Sequence, residues 1–124
     1  MILLDSNIII YAAEPGYDEV REFILQQESA VSVISKVEVL GYHKLRSENQ
    51  KKLENIFEYL PILPLQNVIV DKAITLRQLR KISLGDALIA ATALTNDIAS
   101  ATANTSDFDW IENLDVINPV TKLL

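Results

Sequence analysis

A chain of 124 residues can bury one substantial core but not two, so a single domain over 1–124 is expected. Its 49% apolar and 23% charged residues suit a soluble globular protein. No apolar run approaches the roughly 18 residues that a membrane span needs. A net charge of −6 argues against tight non-specific binding to a nucleic-acid backbone. It does not exclude a nucleic-acid enzyme, because carboxylates loaded with divalent cations present positive charge to a phosphate.

The elements follow in chain order. Met1–Leu4 is an apolar run stopped by Asp5-Ser6-Asn7, which fits a buried strand ending in a turn or helix start. This opening has no basic n-region and so does not look like a secretory signal. The absence of cysteine, which also excludes disulfides, thiolate nucleophiles and Cys-based zinc sites, fits a cytoplasmic protein. After the break at Pro15-Gly16, Val20, Phe23, Ile24 and Gln27 are spaced for an amphipathic helix over 18–28. "AVSVI" (30–34) is β-branched and short, a second strand, and Ser35 opens a helix to about Arg46. Leu53, Ile56, Phe57 and Leu60 mark a helix over 48–60, ended by Pro61. "ILPL" (62–65) is at best an edge strand because of Pro64. Ile69, Ala73, Leu76 and Leu79 predict another helix, followed by an Ala-rich one from Ser83 to Asn96. "IASATA" (98–103) and "DVIN" (115–118) are closing strands, the first weakly patterned.

Short strands alternating with helices predict an α/β fold, a three-layer α/β/α sandwich around a short parallel sheet. Ligands of such sheets gather beyond the carboxyl ends of the strands. Asp5, Glu38, Asp86 and Asp107 all fall just after strands or early in the following helices. Each also has a plain structural explanation. Ser35-Lys-Val-Glu38 and Ser83-Leu-Gly-Asp86 match the capping box, Asp5 is good N-cap material, and Asp107 suits a turn. Capping alone suffices for either box taken singly. It explains less well why Glu38 lies among Val37, Val39 and Leu40, and Asp86 among Ala87, Leu88 and Ile89, with only Ala90 and Ala93 stacked beneath it. Four acids converging on one sheet end would repel each other, and a hard cation such as Mg²⁺ or Mn²⁺ would offset that repulsion.

Other chemistries lack their residues. The single histidine, His43, reads as a surface residue and cannot support two-histidine RNA cleavage. GxGxxG, GxxxxGK[ST] and GxSxG are all missing, and Asn7 stands where a phosphoaspartate enzyme has its second acid.

Taken together, "LLDSNIIIYA", "ISKVEVLG", "LGDALIAATAL" and "TANTSDF" leading to "LDVINP" resemble the PIN-domain family, with the closest likeness to the VapC-type toxins of toxin–antitoxin pairs. The likeness runs the length of the chain in order. It implies a ribonuclease dependent on Mg²⁺ or Mn²⁺ that hydrolyses RNA phosphodiesters through a metal-activated water, leaving 5′-phosphate and 3′-hydroxyl ends. It implies Asp5, Glu38, Asp86 and Asp107 as catalytic metal ligands, with Ser6, Thr102 and Asn104 in support; Asn104 remains open as the fourth ligand, with Asp107 favoured. It also implies a cognate antitoxin and a homodimer as partners. Ala103 departs from the pattern, standing where the family often has an arginine. Lys36, Arg77, Arg80 and Lys81, with Lys44 and Arg46, are the cations placed to meet RNA, although solvated helix faces explain them equally well. The rival readings are a non-cleaving PIN-like module that binds protein or RNA, and a fold whose acids are all caps.

Overall fold

The computed structural model describes residues 1–120, which form five strands and six α-helices. The chain begins with β1 (Ile2–Leu4), whose three residues are all buried. It passes through Asp5 directly into α1 (Ser6–Ala13), a helix that the sequence pattern shows only as a possible start. Three consecutive isoleucines favour strand locally. The Asp5 cap and burial of Ile8, Ile9, Ala12 and Ala13 along one face decide for helix instead. The carbonyls of Ala12 and Glu14 at its far end accept hydrogen bonds from Arg21 Nη1, at 2.9 and 3.0 Å. Arg21 belongs to α2 (Asp18–Gln26).

β2 (Ser29–Ser32) is shorter than the β-branched run suggests, because Val33 and Ile34 already belong to α3 (Val33–Leu40). The cap of α3 is Ser32, whose hydroxyl accepts the Ile34 N–H at 3.2 Å. The expected capping box at Ser35 therefore does not form, and α3 ends at Gly41 rather than near Arg46. α4 (Ser47–Tyr59) buries Leu53 and Phe57. β3 (Ile62–Leu63) stops before Pro64, which has no N–H to continue the ladder, and lies at a sheet edge. α5 (Asn67–Leu79) buries Ile69, Ala73 and Leu76, but Leu79, expected on that face, is 70% exposed at its last residue. α6 (Leu84–Thr95) runs from the Ser83 cap and buries every residue from Ala87 to Ala93. β4 (Ala99–Ala101) has a weak pattern because its side chains are small, yet it lies inside the sheet. A 3-10 turn (Thr105–Asp107) leads on to β5 (Val116–Ile117).

All pairings are parallel and the strand order is β3-β2-β1-β4-β5. Period-two alternation divides β1 between the two faces. Ile2 and Leu4 pack with residues of α1, α2 and α4, whereas Leu3 packs with Ile89 and Ala93 of α6. The result is the expected three-layer α/β/α sandwich. The chain builds outward from β1 through β2 to β3, then returns to the other side of β1 to place β4. That reversal opens a crevice beyond the carboxyl ends of β1 and β4. Leu4 pairs with Ala101, so Asp5 and Thr102 leave their strands side by side at that crevice.

Candidate active site

Asp5 is the innermost acid, only 5% exposed. Its Oδ1 accepts the Ser6 N–H at 2.8 Å, which caps α1, and its Oδ2 accepts the Thr102 hydroxyl at 2.7 Å. Its pKa is pushed up to about 6, chiefly because burial strips water from the carboxylate. The Thr102 and Ser6 hydrogen bonds oppose that rise, while the charges of Asp86 and Glu38 reinforce it.

Thr102 is itself fully buried, and its hydroxyl also accepts Asn7 Nδ2 at 3.3 Å and the Asn104 N–H at 3.1 Å. One donor and two acceptor sites are the full capacity of a hydroxyl, so Thr102 is saturated. Asn7 completes the clamp by accepting the Ala103 N–H at 3.4 Å. This amide, which in the sequence serves only to rule out phosphoaspartate chemistry, ties α1 to the loop after β4.

Glu38 lies well inside α3, beyond the first turn where a capping acid would be, and is solvent-exposed together with Lys36 and Val37. α3 is therefore open on one side, contrary to the apolar surroundings its sequence suggests. Across the crevice the Ser6 hydroxyl is 2.8 Å from Glu38 Oε1 and 2.9 Å from the hydroxyl of Ser35, a buried residue inside α3. The single Ser6 proton serves best on the carboxylate, with Ser35 supplying its own. On its other side Glu38 lies against Gly85, where an added Cβ would be 2.2 Å from Glu38 Oε2. A glycine in the first turn of a helix costs stability, and that cost is the sequence signal of a close approach. Ala90 and Ala93, expected to give Asp86 room, are packed in the core instead; the space at this helix start comes from Gly85.

Asp86 occupies the first turn of α6, and its N–H donates to the Ser83 hydroxyl at 3.1 Å. The Ser83 cap forms as expected. Burial raises the Asp86 pKa most; the Ser83 hydroxyl opposes this, and the charges of Asp107 and Glu38 add to it. Asp107 is exposed at the end of the 3-10 turn and shares a cavity of about 330 Å³ with Asp86, Ser83, Arg80, Lys81 and Trp110. Asn104 caps that turn and meets the site through its backbone.

Repulsion thus links Asp5 to Asp86 and Glu38, and Asp86 to Glu38 and Asp107. Among the described residues, none of the four acids is in an ion pair. Nor, among those residues, are any three acid or histidine side chains grouped so as to hold a metal ion. The donor set is all carboxylate oxygen, with Gly85 leaving room between two of its helices. That set fits a hard ion held by one or two carboxylates and completed by water. The expected cations divide. Arg80 and Lys81 reach the Asp86 cavity, Lys44 and Arg46 line a different one with Glu38, and Lys36 and Arg77 are exposed outside both linings. His43 is exposed, edge-on to Tyr42. An apolar groove of about 520 Å³ between α1, α2 and α4 contains none of the four acids.

The PIN-domain family model matches residues 2–113. The chain belongs to the PIN-domain family. This PIN domain is similar to ribonuclease VapC10 of Mycobacterium tuberculosis, 31% identical over 123 residues, covering 92% of this chain and 90% of that one. Ribonuclease VapC of Rickettsia bellii is 28% identical and covers 98% of each chain. Among solved structures, VapBC2 from Rickettsia felis bound to a DNA fragment from its promoter superposes with a TM-score of 0.83 at 26% identity, covering 95% of this chain and 98% of that one. A toxin–antitoxin complex from Klebsiella pneumoniae superposes at 0.79 and 28% identity, covering 96% and 98%. No helix among the described residues of this PIN domain is long and apolar enough to cross a membrane.

Proposed function

We propose that this PIN domain is an endoribonuclease dependent on Mg²⁺ or Mn²⁺, the toxin of a toxin–antitoxin pair. One observation carries the reading: around the β1/β4 crevice Asp5 is repelled by Asp86 and Glu38, and Asp86 by Glu38 and Asp107, and among the described residues no cation is paired to any of the four. Such repulsion is tolerated where an external charge completes the site. The ribonuclease names of the relatives and the toxin–antitoxin complexes among the similar structures support the substrate and the partner.

The four acids are the candidates to hold the ion, one or two of them directly and the others through its waters, with Asp107 ahead of Asn104. When bound, it would make a water a stronger nucleophile and neutralise charge on the phosphate. The rest of the chemistry belongs to positioning. Thr102 and the Ser6 N–H fix both oxygens of Asp5. The Ser6 hydroxyl fixes Glu38, and Ser83 fixes the helix start that carries Asp86. These contacts hold the acids at the crevice so that they need not reorganise when substrate arrives. Water would add to phosphorus as the bond to the leaving oxygen breaks, giving 5′-phosphate and 3′-hydroxyl ends. Arg80 and Lys81 are placed to receive RNA phosphates, Lys36 and Arg77 only at longer range. A cognate antitoxin and a homodimer complete the proposed assembly, in the cytoplasm.

The test is cleavage of RNA by the purified chain with Mg²⁺ or Mn²⁺, repeated with a chelator and in Asp5→Asn. Activity should require the ion and fall on the order of a hundredfold or more in the variant. Chelator-insensitive cleavage, or full activity in Asp5→Asn, contradicts the reading. RNA binding without cleavage under every ion condition would favour a non-cleaving module.

A further inference from the structure

Arg80 lines the same cavity as Asp86 and Asp107 and, among the described residues, pairs with neither. It closes α5 and begins the short link to α6, so one segment carries Arg80, the Ser83 cap and Asp86. Its guanidinium carbon lies over the Trp110 ring, 5.0 Å from the centroid, within cation–π range. The half-buried Trp110 packs against the core beneath α5 and α6. Its indole N–H donates to the Asp107 carbonyl at 2.9 Å. The ring is therefore tied to the turn that presents Asp107, and the ring in turn seats Arg80. Among the described residues, Arg80 makes no ion pair or side-chain hydrogen bond, although Asp86 and Asp107 line the same cavity. A guanidinium that rests on a ring by its flat face keeps its N–H edges free, and those edges fit the two oxygens of a phosphate.

We propose that Arg80, seated on Trp110, is a preset fork for an RNA phosphate next to Asp86 and Asp107. The acids alone repel the backbone that must approach them, and the fork supplies a fixed attractive contact at the cavity rim. Arg80 is a positioning and binding residue, and Trp110 its mount. The proposal rests on the ribonuclease reading for its substrate.

Trp110 is the only tryptophan in the chain, so intrinsic fluorescence reports on the mount directly. The full chain carrying Asp5→Asn, with Mg²⁺ present, is titrated with a single-stranded oligoribonucleotide. Binding should change the emission to saturation, and inorganic phosphate at matched concentration should not. Arg80→Gln should weaken binding roughly tenfold and flatten the salt dependence by about one phosphate contact. Arg80→Lys should recover only part, since it keeps charge without the fork. Arg80 is exposed, so its variants should melt as the parent does. In the otherwise native chain Arg80→Gln should raise KM more than it lowers kcat. Trp110→Phe should keep the wild-type KM, and Trp110→Ala should match Arg80→Gln.

Unchanged affinity, salt slope and KM in Arg80→Gln would overturn the fork, as would an equal response to inorganic phosphate. If the native chain cleaves RNA while Arg80→Gln behaves identically, only the fork is wrong. If no ion supports cleavage, the ribonuclease reading fails, and the oligoribonucleotide titration still decides whether Arg80 binds the backbone.

Discussion

α3 and α6 each deliver one acid to the crevice, and they do so by opposite means. α6 is buried continuously from Ala87 to Ala93 and capped by Ser83, so Asp86 is fixed by its own helix. α3 is open on one side, with Val37 64% exposed, and Glu38 is fixed from outside by the Ser6 hydroxyl of α1 and by the space at Gly85 of α6. An acid on a buried helix needs little further support. An acid on an open helix is only as well placed as its neighbours allow. The two should therefore answer differently to substitution.

The largest effects come from the acids themselves. Asp86→Asn and Glu38→Gln should each lower RNA cleavage on the order of a hundredfold or more. Their stabilities should part company, as measured by melting in chelator. Burial raises the Asp86 pKa, so the amide relieves a desolvated charge and raises the melting temperature. Exposed Glu38 should change stability by no more than about 0.5 kcal/mol when replaced. Equal shifts would erase the contrast between the two helices.

Asp5 gives the pH dependence. Its folded pKa of about 6 exceeds its ordinary 3.8, so the folded state holds the proton more tightly than the unfolded state does. The contribution of Asp5 is fully present below pH 3.8 and is lost as pH rises through about 6. Asp5→Asn keeps a single oxygen and so can cap α1 or accept from Thr102 but not both; net of that lost hydrogen bond it should stabilise the metal-free chain at pH 7 by about 1–2 kcal/mol. That advantage should shrink through pH 6 and vanish near pH 4, although the variant is inactive throughout.

Gly85→Ala should separate activity from folding. The new Cβ displaces the Glu38 carboxylate, and cleavage should fall roughly tenfold. Helix propensity meanwhile gains about 0.5–1 kcal/mol, so melting should not drop. Ser6→Ala has the smallest expected effect, a loss of activity of about three- to tenfold. Its melting temperature should stay close to that of the parent, and Asp86→Asn should add no dependence on Ser6. A large fall in melting temperature for Ser6→Ala would mean that this hydroxyl holds the fold rather than Glu38.

Most of the fold was legible because periodicity and punctuation agreed. The Ser83 cap, the helix before Pro61 and the edge strand before Pro64 follow directly from residue chemistry. α1 was hidden because Ile8, Ile9 and Ile10 favour strand locally and become helical only through the Asp5 cap and tertiary burial. The start of α3 was misplaced because Ser32 and Ser35 are equally good caps by composition, and packing chose Ser32. The four acids could be picked out in advance by their positions after strands. Asn7, Ser35, Gly85 and Trp110 could not, because their contacts reach across elements far apart in sequence. Only Gly85 left a trace, as a helix residue whose propensity argues against its position.

The central claim is that the four acids belong to one site that binds a divalent cation. Thermal melting against Mn²⁺ concentration, comparing the native chain with Asp5→Asn, Glu38→Gln, Asp86→Asn and Asp107→Asn combined, tests it most directly. The native chain should melt higher as Mn²⁺ increases, by mass action on the folded state. The combined variant should melt higher than the native chain without metal and show no rise with it. A flat response in the native chain, or an equal rise in both, would contradict the claim.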